Sequence, residues 1–391
     1  MRIVDVCAFY APRGGGVKTY VERKLQAGAE AGHEIIILAP SDDDRVVERQ
    51  GGGRIVMLPA RRFPLDRRYS YFDDERSLHA MLDRLQPDLV EASSPWASAA
   101  MVARWQGSAP RALIMHADPL SAYAYRWFGS VLSRERIDRG FDWFWRHLRR
   151  LDQSFDLVVS ASESLSSRLA SGGLQRVATL PMGVEPGWFT PVKRNEALRA
   201  RLLERCGLPA DATLLLGVGR HAPEKRWPQV IEAVTSAGYR NPVGLVLVGD
   251  GRERARVRRA AANNPHIQLL APIHDRASLG EMLASADALV HGCEAETFCM
   301  VAAEARASGI PIIVPDEGGA SDQASQGVGF RYKAAQTDSL AAVITRFLES
   351  DPAKQRQRAT ALAASTMTMD DHFRQLFNVY RQIGSRDLHV A

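Results

Sequence analysis

Cysteine is scarce in this chain of 391 residues: Cys7, Cys206, Cys293 and Cys299 are the only four, and no two of them form a C-x-x-C pair. Such scatter gives no disulfide framework, so the thiols are expected to be reduced and mostly in cores. Long hydrophobic runs are missing too; none approaches the roughly 18 residues of a spanning helix. The opening "MRIVDVCAF" is short and carries Asp5 inside its apolar run, so it reads as a first strand rather than a signal peptide. The expectation is a cytoplasmic protein without a spanning helix. Nor does one sign of charge dominate: 50 Lys and Arg face 45 Asp and Glu, and a surplus of 5 is too small to argue for nucleic acid as a partner.

What is present is a repeated alternation. The runs "RIVDVCAF", "EIIILAP", "RIVML", "DLVEA", "RALIMH" and "DLVVSAS" are spaced to leave room for helices between them, and a second series begins at "TLLLGVG" and continues through "VGLVLVGDG", "IQLLAP", "DALVHG" and "IPIIVP". Alternation of this kind predicts parallel sheets covered by helices, here two doubly wound α/β units. Between the series, Gly and Pro residues from Pro181 to Pro191 break every periodic pattern. The reading is a first domain over 1–185, a second over 186–368, and a segment 369–391 whose helical spacing of Phe373, Leu376, Phe377 and Tyr380 suits a helix crossing back onto the first domain.

Parallel sheets bind ligands at the carboxyl ends of their strands, where helix N-termini bring unpaired N–H groups together. Four features fall at such ends. Gly14, Gly15 and Gly16 follow the first strand, leaving room for a phosphate or simply making a tight turn. His116 ends the "RALIM" strand, a place where a structural histidine is as natural as a functional one. "GVGRHAPEKR" admits two readings. Gly217, Gly219 and Ala222 fit the dinucleotide pattern G-x-G-x-x-A, but the next strand ends 33 residues after Gly217, at Asp250, where roughly 20 is usual. In the other reading Arg220 and Lys225 clamp a diphosphate, Arg as a planar fork and Lys as a mobile point charge.

The fourth feature is "EAETFCMVAAEARASGIP". A helix starting near Thr297 or Phe298 leaves Glu296 in the loop before it and puts Glu304 about 9–12 Å further along the axis. That separation is too long for an acid and base acting on one bond, and suits two ends of an elongated ligand. The N–H groups of Phe298, Cys299 and Met300 then form a phosphate-binding helix start between them.

Taken in order, the E-x(7)-E pattern Glu296 to Glu304, the pair Arg220 and Lys225, the glycine-rich first loop, the "PMGVE" linker and His116 resemble the retaining nucleotide-sugar glycosyltransferases of family 4, the "glycosyl transferases group 1". The resemblance spans essentially the whole chain. It implies two facing Rossmann-like domains, the GT-B architecture, with an inter-domain cleft. It also implies that a hexose-type sugar moves from a UDP- or GDP-sugar to a hydroxyl of a glycan, lipid or lipid-linked acceptor, with the first domain contacting the acceptor. Residue by residue, Glu304 would hold the ribose hydroxyls and Glu296 the hydroxyls of the sugar. Arg220 and Lys225 would neutralise the diphosphate with help from Gly15, Gly16 and the N–H groups of Cys299 and Met300. Ile273, 23 residues before Glu296, falls where the base is bound through the backbone, and His116 would face the sugar. No D-x-D pair lies at an expected strand end, and "DDD" at Asp42 to Asp44 reads as a solvated loop, so transfer without a metal or other cofactor is expected, by a front-face mechanism. Cys299 departs from the glycine common at its position. The alternatives are an NAD-dependent oxidoreductase built on "GVGRHA" and an inactive binding protein on the same fold.

One stretch lies outside these motifs. Met101 to Arg150 holds nine Arg against four acids, interleaved with Trp105, Trp127, Trp143 and Trp145. Within it, residues 123–151 read either as helices with core tryptophans and a solvated arginine face, or as a peripheral contact with an anionic membrane at its inner face.

Overall fold

The computed structural model describes residues 1–10, 16–49, 51–62, 70–129 and 131–386. Its strands are β1 (Arg2–Val6), β2 (Glu34–Ser41), β3 (Arg45–Glu48), β4 (Arg54–Pro59), β5 (Arg61–Arg62), β6 (Ser70–Tyr71), β7 (Leu89–Ala92), β8 (Arg111–Met115), β9 (Leu157–Ser160) and β10 (Val177–Thr179) in the first half. The second half holds β11 (Thr213–Val218), β12 (Val243–Val248), β13 (Ile267–Leu270), β14 (Ala288–Val290), β15 (Ile312–Pro315) and β16 (Gly329–Tyr332).

They form an eight-stranded sheet of order β10-β9-β8-β7-β1-β2-β4-β3, a six-stranded sheet of order β13-β12-β11-β14-β15-β16, and the small ribbon β5-β6. All pairings in the second sheet are parallel, and in the first only β3 runs antiparallel, along the edge of β4. Central strands such as β1, β7 and β12 are buried almost end to end, as expected of strands covered by helices on both faces. Strand order reverses beside β1 in the first sheet, where Val4 pairs with Ile36 on one side and Val90 on the other. It reverses beside β11 in the second, where Leu216 pairs with Val246 and Leu289. Crevices open outside the carboxyl ends of strands at such reversals, which fixes where each domain can hold a ligand.

The chain crosses between domains twice. Leaving the first sheet after Thr179, it passes Val184, which bridges to Thr368 of the returning segment through Val184 N–H to the Met367 carbonyl and Met369 N–H to the Val184 carbonyl, each 2.8 Å. Gly183 permits that approach: its φ is +73° and a Cβ there would lie 2.3 Å from the Thr368 carbonyl oxygen. Thr368 and Asp371 cap the helix Met369–Arg386 reciprocally, at 3.2 Å and 3.1 Å. This helix lies on the first domain, where Phe373, Leu376, Phe377 and Tyr380 are buried with Ile3, Ile35 and Tyr20. Each such side chain contributes about 1.5–3 kcal/mol of apolar burial. The domains also meet directly, Ser164 donating its N–H to Asp322 at 2.9 Å and its hydroxyl at 2.6 Å. Among the described residues no helix is long and apolar enough to cross a membrane.

Candidate active site

The loop Glu294–Cys299 follows β14 at the second sheet's reversal and is held by three close backbone approaches. Gly319 donates its N–H to the Glu296 carbonyl at 2.7 Å. A Cβ on Gly318 would lie 2.3 Å from the Glu294 carbonyl oxygen, and one on Gly319 2.6 Å from the Phe298 nitrogen. Side chains at either position would push the loop out of place.

The helix after this loop starts at Met300, later than the spacing suggests, because Cys299 sits at φ +67°, ψ +69° and a right-handed helix cannot run back through a left-handed residue. The N–H groups presented at this helix start are therefore those of Met300 and Val301, with Cys299 as cap and Phe298 outside the helix. The glycine common at position 299 is explained by this conformation, which glycine adopts freely. The Cys299 thiol is buried, and burial pushes its pKa well above the usual range, so it is a poor nucleophile. Met300 packs against the cores of both domains.

Around the loop the charges are paired. Lys225 donates to Glu296 Oε1, and the same oxygen lies 3.1 Å from His291 Nε2. Burial alone would raise the Glu296 carboxyl, but Lys225 and His291 outweigh it and hold it far below the usual range. Burial would lower the Lys225 ammonium, yet Glu296 drives it up, so both stay ionised. Beside them Arg226, at φ +50°, makes a bidentate pair with Glu294, one bond being 2.8 Å. Sequence reasoning missed His291, Arg226 and Glu294 as partners, although "HGCE" and "EKR" carry the necessary charges. His291, Glu296 and Cys299 offer ligand atoms within 4.8 Å of one another, and the ammonium of Lys225 pairs with Glu296 Oε1 beside them.

The remaining predicted residues are distributed as follows. His116 lies across the cleft; its carbonyl accepts the Thr297 hydroxyl at 3.2 Å, and its ring meets Tyr20 edge-on at 4.9 Å. Burial lowers its imidazole to about 4, so the ring is neutral at pH 7. Arg220 points outward, its side chain 75% exposed, and pairs with Glu224 at 3.3 Å. Glu304 is buried, and Arg276 reaches it at 2.9 Å while also holding Glu185 of the linker at 3.2 Å. Burial lifts the Glu304 carboxyl to about 7 in spite of Arg276. Ile273 is half-buried at the margin of the second core. Gly16 begins the helix Gly16–Glu30, whereas Gly14 and Gly15 lie outside the described residues. Asp42 to Asp44 form the exposed loop that the sequence suggests, although it directly follows the end of β2, where no D-x-D pair was expected, and Asp42 is tied to Arg62.

The dinucleotide reading of "GVGRHA" fails on the backbone. The N–H of Gly219 goes to the Val248 carbonyl at 3.0 Å and that of His221 to Asp250 at 2.8 Å, so neither is free for a pyrophosphate. The chain then makes a short 3₁₀ turn, Pro223–Lys225, and no helix begins until Trp227. A cleft of about 450 Å³ joins the domains, with Asp118, Ser121 and Arg168 on one wall and Glu294, Glu296 and Glu317 on the other.

Comparison with known proteins agrees with this geometry. Residues 199–364 match Glycosyl transferases group 1, and residues 14–188 match Glycosyltransferase Family 4. A GDP-mannose-dependent alpha-mannosyltransferase of Mycobacterium tuberculosis is 30% identical over 338 residues, 82% of this chain and 81% of its own. A GDP-mannose-dependent alpha-(1-6)-phosphatidylinositol dimannoside mannosyltransferase from the same species is 30% identical over 320 residues, 80% of this chain and 79% of its own. Among solved structures, sucrose-phosphate synthase from Thermosynechococcus elongatus superposes with a TM-score of 0.76 at 21% identity, covering 99% of this chain and all (100%) of that one. Anabaena HepE in complex with UDP-glucose gives 0.70 at 16% identity, covering 98% and 100%. These two likenesses show the fold, two Rossmann-like domains in the GT-B arrangement. With both halves matched and relatives this similar along most of their length, the chain belongs to glycosyltransferase family 4, the group 1 glycosyl transferases, and is an enzyme that transfers a sugar.

Proposed function

We propose that the protein moves mannose from GDP-mannose to a hydroxyl of a glycan or lipid-borne acceptor, with retention and without a metal. The observation that carries the reading is the pairing of Lys225 with Glu296, a residue of the cleft wall, shortly before the helix start at Met300 and next to Thr297, whose hydroxyl meets the His116 carbonyl. Breaking a sugar–phosphate bond leaves positive charge at the anomeric carbon and negative charge on the departing diphosphate, so fixed positive groups around that diphosphate lower the barrier most. Lys225 supplies a full charge, and the N–H groups of Met300 and Val301 supply partial ones. Lys225 and Glu296 neutralise each other through their ion pair. Entry of the donor divides the pair, Lys225 turning to phosphate and Glu296 to sugar hydroxyls, while neutral His116 adds no charge to repel the forming cation. Glu304 takes the ribose once Arg276 yields it. The leaving phosphate accepts the acceptor's proton on the same face, which gives an alpha linkage from an alpha-linked donor.

The guanine base and the mannose rest on the curated relatives, whose names specify GDP-mannose. The test is slow hydrolysis of a panel of GDP- and UDP-sugars by the purified protein, with and without chelator, followed by assignment of the anomer formed on an acceptor. GDP release from GDP-mannose, unchanged by chelator, and an alpha product are expected. Turnover of UDP-glucose alone, a beta product or loss of activity on chelation would each overturn the corresponding part.

A further inference from the structure

The terminal helix Met369–Arg386 carries a buried histidine, His372, where the two passages between the domains come together. Its Nδ1 is 2.9 Å from the carbonyl of Pro181 on the outgoing passage, and its Nε2 is 3.0 Å from the hydroxyl of Tyr20. A carbonyl only accepts, so Nδ1 carries the ring proton. Burial lowers the His372 imidazole to about 4, so the ring is neutral at pH 7 and Nε2 offers a lone pair. The Tyr20 hydroxyl must then donate to it. Both hydrogens in this chain of contacts have one direction, from Tyr20 to His372 and from His372 to Pro181.

Tyr20, in the second turn of the helix Gly16–Glu30, is buried as well. Its ring packs on Phe373 at 5.2 Å and meets the ring of His116 at 4.9 Å, with the two planes 73° apart, a favoured arrangement for an aromatic pair. The backbone of His116 is tied to the second domain through the Thr297 hydroxyl, but among the described residues no hydrogen bond reaches its ring nitrogens. Packing against Tyr20 therefore sets the tilt of that ring. We propose that Tyr20 and His372 are positioning residues for His116: the bond between them fixes the Tyr20 ring, and the Tyr20 ring fixes the plane of the imidazole at the cleft.

Chemistry explains why orientation matters here. An imidazole hydrogen-bonds only in its own plane, so the tilt of the ring decides whether a sugar hydroxyl beside it meets a nitrogen or a π face. Simple filling of the core would not call for this pair. Two apolar side chains would fill the same space without the risk of stranding a buried hydroxyl and a ring nitrogen, whereas a fully satisfied polar network holds its members rigidly. Since Pro181 and His372 stand on the two passages between the domains, His116 is oriented from that crossing rather than from its own strand end. The inference rests on the proposed role of His116 beside the sugar only for its effect on turnover, because the orientation itself requires no ligand.

Two substitutions break the bond from opposite ends. Tyr20→Phe keeps the ring and removes the donor; His372→Asn keeps an N–H for the Pro181 carbonyl and withdraws the acceptor from Tyr20. In full-length protein, assayed below each unfolding midpoint, each should lower kcat for GDP-mannose hydrolysis about tenfold and leave the KM within about twofold of wild type. The same substitutions are then made in a His116→Gln background, where a residue acting through His116 has nothing left to act on. There each should change kcat by less than about twofold, whereas a general loss of structure would subtract the same factor again. A readout free of activity is the NMR spectrum of protein labelled at histidine, with the His116 ring signals assigned by their disappearance in His116→Gln. Those signals should shift or broaden in both variants. His116 signals unmoved by either substitution, or equal losses of kcat in the two backgrounds, would overturn the proposal. A wild type that leaves GDP-mannose intact would count against the donor assignment, and the ring signals would still decide the positioning.

Discussion

Each domain gathers charges where its strand order reverses, but the two gatherings are put to opposite uses. In the first domain Asp5 of β1, Glu91 of β7 and Lys24 of the adjoining helix are all 0% exposed, with Lys24 3.1 Å from Asp5 and 2.6 Å from Glu91. Ser93 donates to Asp5 at 2.7 Å, and Tyr380, on the crossing helix, donates to Glu91. Every member is capped from inside, so no face remains for a ligand. In the second domain Lys225, Glu296 and His291 form a similar group, yet the Lys225 and Glu296 side chains are 16% and 21% exposed and Glu296 lines the cleft. One Rossmann-like half thus spends its strand-end charges on holding the terminal helix in place, and the other keeps them at a surface where a substrate can separate them.

Breaking each group in turn should expose the contrast. The largest effect is expected from Lys24→Met, which strands two buried carboxylates. It should cost about 3–5 kcal/mol of unfolding free energy by denaturant titration, while any folded fraction still hydrolyses donor. Lys225→Ala should show the reverse weighting. Its kcat should fall by roughly a hundred- to a thousandfold with a smaller stability loss, because the charge it removes acts on the leaving diphosphate. Near-normal turnover by this variant would remove Lys225 from the site.

A pH effect follows at the Glu304 end. Its carboxyl, raised to about 7, keeps a proton in the folded chain that the unfolded chain has already released, so stability falls as pH climbs from the ordinary carboxyl range through about 7. Binding runs the other way, since a ribose diol needs the ionised acceptor. The KM for GDP-mannose should drop between about pH 6 and about pH 8, and Glu304→Gln should flatten that dependence. The smallest effect belongs to Cys299→Gly. Relief of a left-handed residue, about 1–2 kcal/mol, is offset by the lost buried thiol and the added freedom of the unfolded chain. Its unfolding midpoint should stay near wild type, and the donor KM should change by less than about tenfold.

Much of this was legible in advance where the signal is local. Eleven strands announce themselves as apolar runs, and the Gly and Pro residues from Pro181 to Pro191 mark the passage between the two sheets. Less legible were β3, β10 and β16, short edge strands such as "RVVE" and "GFRY" whose pairing comes from a neighbour rather than from their own hydrophobicity. The start of the helix at Met300 was misplaced because sequence does not reveal that a cysteine adopts a glycine's conformation.

The order of motifs, by itself, determined the family, the two-sheet architecture and the residue types at each strand end, because alternation period and turn chemistry are properties of neighbours along the chain. Partnership was decided only in three dimensions. That Glu304 faces Arg276, that Arg126 reaches Glu224, and that Trp145 is core while Trp143 meets solvent depend on residues up to 98 positions apart. Ion pairing and burial are set by distance in space, and no pattern along the chain encodes it.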